Sequence, residues 1–156
     1  MKKKKKGFTF VELLVITAIF AVLLTIAVVY YNQAKIGSRD TAAITAMNQL
    51  RLKAEMIYSI DRNYNNIKCD GNAEIVKICG DINEKLSPNT LTIVLSTPTG
   101  SGSGQYCAYA KLLRQKDGLD SYCCVDSAGG VKQTSINPGN IMDGQCRTNS
   151  TYLCPN

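Results

Sequence analysis

The longest apolar run in the chain is the feature that most restricts its fold. Residues 8–31 form a stretch of 24 residues that carries one charged side chain, Glu12. About 20 helical residues are enough to cross the hydrocarbon core of a bilayer, so this run predicts a transmembrane helix. A cleaved secretory signal has a shorter apolar region, of roughly 7 to 15 residues, that ends at an A-x-A-like site. No such site follows this run.

The positive charge of the chain is concentrated immediately before the apolar run. Lys2 to Lys6 account for five of the 18 basic residues, and without them 13 basic residues face 12 acidic ones. Because positively charged flanks stay on the cytoplasmic side of a membrane, we expect the N-terminus inside and the rest of the chain outside. The near-neutral remainder lacks the net charge that is typical of nucleic-acid binding.

The helical pattern continues beyond the apolar run. Apolar residues recur at steps of 7, 4, 3, 4 and 3, which is typical of one helical face, and they are Ile36, Ala43, Met47, Leu50, Ala54 and Ile57. Polar residues lie off this face and include Arg39, Asp40, Asn48, Arg51, Lys53 and Glu55. The pattern predicts an amphipathic outer half of the helix that ends near residues 61–66, where asparagines favour turns.

The remaining residues predict a small antiparallel sheet of three or four strands. The candidate strands are β-branched or aromatic segments at residues 91–96, 106–113, 121–127 and 131–136. Turn signals at Asp117-Gly118 and Gly129-Gly130 separate the last three segments, and residues 97–104 have the composition of a flexible loop. Residues 69–89 hold either a short helix or an irregular excursion. The apolar face of the sheet is expected to pack against the amphipathic helix, which gives an α+β fold.

All cysteines follow the apolar run, on the side where disulfides persist. Because the chain has seven of them, at least one thiol is free or pairs outside the chain. Proximity in sequence favours three bonds: Cys69 with Cys79, Cys146 with Cys154, and Cys107 with either Cys123 or Cys124.

The third bond raises a problem of strand register. Adjacent strand residues point to opposite faces, so only one of Cys123 and Cys124 can share a face with Cys107. A two-residue turn at Asp117-Gly118 would place Cys107 opposite residue 128. Either the loop is larger than that, or the cysteines do not pair directly across the strands.

Metal binding and catalysis are not predicted. Zinc sites use closely spaced ligand pairs such as C-x2-C, and the chain has no such pair and no histidine. The missing C-x-x-C also argues against a thiol redox motif. A Gly-rich phosphate loop and a convincing nucleophile-base pair are absent as well, so we expect no enzymatic activity, no cofactor and no metal.

The N-terminal sequence KKKKKGFTFVELLVITAIF resembles the signature of type IV prepilins and pseudopilins. The resemblance lies in a basic leader that ends at Gly7, an aromatic residue at Phe8, a glutamate at Glu12 and a hydrophobic helix. It implies that a membrane-embedded prepilin peptidase cuts between Gly7 and Phe8 and methylates the new amine of Phe8. It also implies that Glu12 of one subunit receives the Phe8 amine of its neighbour during assembly.

The resemblance implies a type IV pilin-like organisation and a set of partners. Residues 1–7 are the cleaved leader, 8–31 the transmembrane and filament-core helix, 32–62 its amphipathic outer half, and 63–156 the exported β-rich head with a disulfide-stapled C-terminal region. The partners are prepilin peptidase, copies of the chain or other pilins, an assembly platform, its ATPase and the membrane. The protein would lie in the cytoplasmic membrane before assembly and in a surface or periplasmic filament afterwards.

Alternative interpretations remain open at the level of the sequence. Within the family, the chain could be a pseudopilin or minor pilin of a type II secretion or DNA-uptake system. Outside it, the chain could be a single-pass membrane-anchored binding module. Glu12 could also act within its own chain, by pairing with Phe8 four residues away or by favouring the helix N-terminus through the dipole.

Overall fold

The computed structural model describes residues 7–95, 104–135, 147–148 and 151–152 of the 156 in the chain. The chain divides into two compact units, Met1–Lys35 and Ile36–Asn156. The predicted loop at residues 97–104 lies almost wholly outside the described residues, and so do Cys146 and Cys154.

The first unit contains the N-terminal part of helix α1, whose full bounds are Phe10–Asp61. Every residue from Gly7 to Lys35 is exposed. Within the described residues, α1 is the one helix that is long and apolar enough to cross a membrane, and its most apolar window has a mean hydropathy of 2.8 with no buried residue. An apolar surface of this extent requires lipid or other apolar chains around it.

The second unit is built on the outer part of α1, which ends at Asp61 as the turn signals predict. The buried face consists of Asp40, Ala43, Met47, Leu50, Ala54 and Ile57. The predicted stripe is therefore confirmed from Ala43 to Ile57. The prediction was wrong at its start, because Ile36 is 38% exposed whereas Asp40, expected on the polar face, is only 6% exposed.

A second helix resolves the uncertain segment before the sheet. Helix α2 spans Ala73–Leu86, and it begins where the Asn72 side chain accepts a hydrogen bond of 2.9 Å from the backbone N–H of Glu74. Asparagine is a favoured N-cap because it satisfies a backbone donor that the helix leaves unpaired. The Cys69–Cys79 disulfide ties α2 to the segment before it.

Four antiparallel strands form the sheet in the order β1-β2-β3-β4. They are β1 Leu91–Leu95, β2 Tyr106–Lys111, β3 Tyr122–Asp126 and β4 Val131–Thr134. One sheet face joins the buried side chains of α1 and α2 in a single hydrophobic core. The predicted α+β fold, with a long N-terminal helix and a small antiparallel sheet, is confirmed.

A short ribbon near the C-terminus was not expected. Strands β5 Arg147–Thr148 and β6 Thr151–Tyr152 pair antiparallel as a separate two-stranded sheet.

The β2–β3 hairpin combines the predicted turn with a bulge. Asp117 and Gly118 both have positive φ, 54° and 76°, and Lys116 pairs with Leu119 across them, which is the pattern of a two-residue hairpin turn. Between this turn and the two strands, the β2 side of the hairpin has four residues, 112–115, whereas the β3 side has two, 120–121. The extra residues shift the strand register by two, because a bulge adds residues to one strand without a partner on the other. Cys107 consequently lies opposite Asp126 rather than residue 128.

Candidate functional site

The start of helix α1 is organised by Thr9 and Glu12. The Glu12 carboxylate oxygen Oε2 accepts hydrogen bonds from the backbone N–H of Thr9 at 2.9 Å and from its hydroxyl at 2.8 Å. In return, the Thr9 hydroxyl accepts a bond of 3.3 Å from the backbone N–H of Glu12. This is a capping box, in which a threonine and a glutamate three residues later satisfy each other's backbone donors.

The capping box uses only one oxygen of Glu12. Within the described residues, Oε1 of Glu12 makes no hydrogen bond. Phe8 precedes the helix and is 74% exposed, and Gly7 next to it has open space around its Cα. A carboxylate oxygen is therefore available for a cation from outside this segment.

The surface that follows is apolar, and both of its threonine hydroxyls donate hydrogen bonds to the helix backbone. Thr17 donates to the carbonyl of Leu14 at 2.9 Å, and Thr25 donates to the carbonyl of Val22 at 2.7 Å. These local bonds let a membrane or packed-helix environment accept both threonines. The segment thus suits burial in an apolar phase along its whole circumference.

In the head, Asp40 holds the bulge of the β2–β3 hairpin. Its two carboxylate oxygens accept backbone hydrogen bonds from Leu113 at 2.8 Å and from Arg114 at 2.9 Å. Both donors belong to the segment that has no strand partner, so Asp40 replaces the bonds that the sheet does not supply. This role explains why a charged residue occupies the buried face of α1.

A tyrosine cluster fills the core between α1 and the sheet. The ring centroids of Tyr58 and Tyr64 are 4.6 Å apart, and those of Tyr64 and Tyr106 are 4.9 Å apart. The Tyr64 hydroxyl donates to Glu55 Oε1 at 3.1 Å, whereas the buried Tyr106 hydroxyl finds no hydrogen-bond partner in the described part of the chain. Burial raises the pKa of both Tyr64 and Tyr106, and the negative charge of Glu55 raises it further.

The cysteines of the head fall into distinct environments. The Cys69–Cys79 bond is formed, as proximity in sequence predicted. The Sγ atoms of Cys107 and Cys124 lie 3.3 Å apart on one face of the sheet. Cys123 is a buried free thiol whose pKa is raised to about 12 by its burial.

The sequence analysis did not predict the roles of Thr9 and Asp40. Thr9 carries a visible signal, since a threonine three residues before a glutamate at the start of an apolar run is a capping-box pattern. Asp40 also carries one, because it fills the gap of seven residues between Ile36 and Ala43 in the helical stripe. Among the described residues, no group of three or more Cys, Asp or Glu side chains is arranged to hold a metal ion.

Comparison with known protein families finds a match at the N-terminus. Residues 2–28 match a family model described as the prokaryotic N-terminal methylation motif. No curated protein and no solved structure matches the chain significantly. The matched range contains the lysine leader, Gly7, Phe8, the capping box and most of the exposed apolar helix. The chain therefore carries the N-terminal methylation motif, which is the signature of type IV pilins and prepilins.

Proposed function

We propose that the chain is a structural subunit of a type IV pilus-like filament. Prepilin peptidase removes residues 1–7 by cleavage between Gly7 and Phe8 and methylates the new amine of Phe8. The mature subunit is held in the membrane by residues 8–31 until assembly, and it then contributes the same residues to the filament core. The observation that carries this proposal is the methylation motif at residues 2–28, which coincides with an apolar helix segment that the fold leaves exposed.

The exposed apolar segment at residues 8–31 supports a function in which this segment moves from the membrane into a filament. Its side chains contribute nothing to the core of the head, which is built from α1 residues after Asp40, from α2 and from the sheet. Lipid can cover such a segment before assembly, and the helices of other subunits can cover it afterwards. A helix that served only its own head would bury its apolar face there.

Glu12 supports the assembly step through its unused oxygen. Cleavage creates a cation at Phe8, and a neighbour's amine about 4 Å from the carboxylate is attracted by ~4 kcal/mol at an effective dielectric near 20, before desolvation is subtracted. The net stabilisation is smaller, because both charges must leave water. The pair therefore serves mainly to fix how far one helix slides along the next. Capping by Oε2 and pairing through Oε1 can occur together.

Mass spectrometry of the mature protein tests the processing step. We expect residues 1–7 to be absent and one methyl group to be present on Phe8. An intact leader in protein taken from cells that contain an active prepilin peptidase would contradict the proposal.

Replacement of Glu12 tests the assembly step. Glu12→Ala is expected to abolish filaments in sheared surface fractions while membrane anchoring and head folding persist. Glu84→Ala is the matched control, because Glu84 is an exposed glutamate that, within the described part of the chain, forms an ion pair with its neighbour Lys85 alone. Filaments of normal abundance in the Glu12 variant would overturn the proposed pairing. Abundance of the wild-type chain in the same fractions distinguishes a major subunit from a minor pilin or pseudopilin.

A further inference from the structure

The tip of the β2–β3 hairpin, residues 116–119, presents an apolar side chain to the outside of the head. Of the large apolar side chains described between residues 91 and 135, only Leu119 is exposed, at 58%. The backbone N–H groups of Lys116 and Leu119 each donate a hydrogen bond of 2.9 Å to the carbonyl of the other. Asp117 and Gly118 between them have the positive φ that a two-residue hairpin turn requires. Leu119 is therefore held outward by a well-defined turn.

A groove between α1 and α2 has an apolar lining that suits such a side chain. The lining comes from Leu52 and Met56 of α1, which are 57% and 56% exposed, and from Ile78 of α2. The groove has a volume of about 460 Å³, which lies in the range in which proteins enclose small ligands. Lys53 and Glu74 form an ion pair that joins the two helices beside it. Neighbouring exposed apolar side chains with a polar rim are typical of a surface that a partner covers.

The charged residues of the hairpin tip and of the groove are complementary. Lys77 and Asp81 border the groove and lie about one turn apart on α2. Lys116 and Asp117 belong to the hairpin tip. Within the described part of the chain, none of these four residues forms an ion pair. Each site therefore offers one cation and one anion to the other, and such pairs fix the orientation of a contact more than its affinity.

The hairpin tip and the groove lie at different heights along α1. Lys116 of the tip lines a cleft together with Thr41 of α1, whereas the groove is lined by Lys53. Thr41 and Lys53 are 12 positions apart in the sequence, which corresponds to ~18 Å of helix. A copy therefore cannot fill its own groove, and two copies meet tip to groove when one is displaced along α1 relative to the other. A contact between two different surfaces repeats from copy to copy and builds an open filament unless its rotation closes a ring.

We propose that the hairpin tip of one copy docks into the α1–α2 groove of a second copy, with Leu119 placed against Leu52 and Met56. This inference rests on the proposed function, because a filament is what holds displaced copies together. A specific interface buries about 800 Å² on each partner, and a single turn in a single groove covers much less. The contact therefore forms where residues 8–31 already hold the copies side by side, since linkage raises their effective concentration.

Photo-cross-linking in filaments tests the docking. An amino acid with an aliphatic diazirine side chain replaces Leu119 in the full-length chain, and sheared filaments are irradiated, reduced and digested with trypsin. We expect a covalent dimer of the chain in which the peptide that contains residue 119 is joined to a peptide that contains Met56 or Ile78. The same chain irradiated after detergent extraction from the membrane should give no dimer. An adduct to another protein, or to another segment of a second copy, would overturn the inference.

Lysine substitutions test whether filaments need the contact. Met56→Lys places a charge in the groove and should abolish the cross-link from position 119 and the filaments, and Leu119→Lys should abolish filaments from the other side of the contact. Val76→Lys is the matched control, because Val76 is an exposed apolar residue of α2 that does not line the groove, and it should retain filaments. Normal filaments in Met56→Lys and Leu119→Lys, or equal loss in Val76→Lys, would overturn this inference alone. Absence of filaments in the wild type would overturn the proposed function as well.

Discussion

The carboxylate of Asp40 in helix α1 accepts a hydrogen bond of 2.8 Å from the backbone N–H of Leu113 in the hairpin bulge. The second oxygen accepts from the next backbone N–H, that of Arg114. A buried carboxylate is costly unless it is hydrogen-bonded, and these bonds offset that cost. They also hold the two extra residues that set the register of β2 against β3.

Removal of the Asp40 carboxylate should destabilise the head. In Asp40→Ala two backbone donors lose their partner. Hydrogen bonds to charged groups contribute roughly 1.5 to 3 kcal/mol each, but the variant no longer carries the cost of burying a carboxylate, so we expect a net loss of about 2 to 4 kcal/mol in unfolding free energy. The measurement is chemical denaturation of the full chain in detergent. Asp81→Ala is the control, since Asp81 is an exposed carboxylate on α2. Equal stability of the two variants would contradict the role given to Asp40.

Periodic features of the fold were predictable from the sequence because each repeats a local signal. The stripe from Ala43 to Ile57 repeats every three or four residues, and all four strands of the sheet begin within one residue of their predicted starts. The predicted turn at Asp117-Gly118 is also present. These elements follow from side-chain patterns within a few residues of one another.

The bulge was not predictable, because its cause lies elsewhere in the chain. Asp40 is separated by more than 70 residues from the backbone that it binds. The turn alone gave a register in which Cys107 meets residue 128, and the correct register depends on that distant contact. The choice between Cys123 and Cys124 as neighbour of Cys107 therefore required the tertiary structure.

The buried hydroxyl of Tyr106 should be dispensable for stability. A buried polar group without a partner costs about 1 to 3 kcal/mol, so Tyr106→Phe is expected to leave the unfolding free energy unchanged or raise it by about 1 kcal/mol. Tyr64→Phe is the matched variant, because the Tyr64 hydroxyl donates to Glu55. We expect that variant to lose about 1 to 2 kcal/mol. The opposite order of stabilities in thermal denaturation would show that the Tyr106 hydroxyl has a stabilising partner.

Alkaline pH should lower the unfolding free energy of the head, and the Cys123 thiol is the first group to contribute. Burial raises the pKa of this thiol from 9.0 to about 12, so the folded protein keeps a proton that the unfolded chain releases above pH 9. The contribution of this thiol to stability is therefore fully present below pH 9 and is lost as the pH rises, by at most about 1.4 kcal/mol per pH unit for one group. Tyr64 and Tyr106, whose pKa values are also raised, add to the fall above pH 10.

Cys123→Ala isolates the contribution of the thiol. The variant should show a shallower loss of unfolding free energy between pH 9 and 10 than the wild type, whatever its absolute stability. Identical slopes in denaturant titrations across that interval would mean that Cys123 does not retain its proton in the folded head.

A substitution of Thr9 can distinguish the two roles proposed for Glu12, which are capping of its own helix and pairing with a neighbour's amine. Only the capping box depends on the threonine hydroxyl. Thr9→Val preserves the shape of the side chain and should cost about 1 kcal/mol of helix stability through loss of the cap. The Glu12 carboxylate remains available for a neighbour's amine, so filaments should still form in Thr9→Val and be lost in Glu12→Ala. Counting filaments in sheared fractions of both variants makes the comparison. Equal loss in the two variants would assign Glu12 to capping of its own helix, and the intersubunit pair would then be unnecessary.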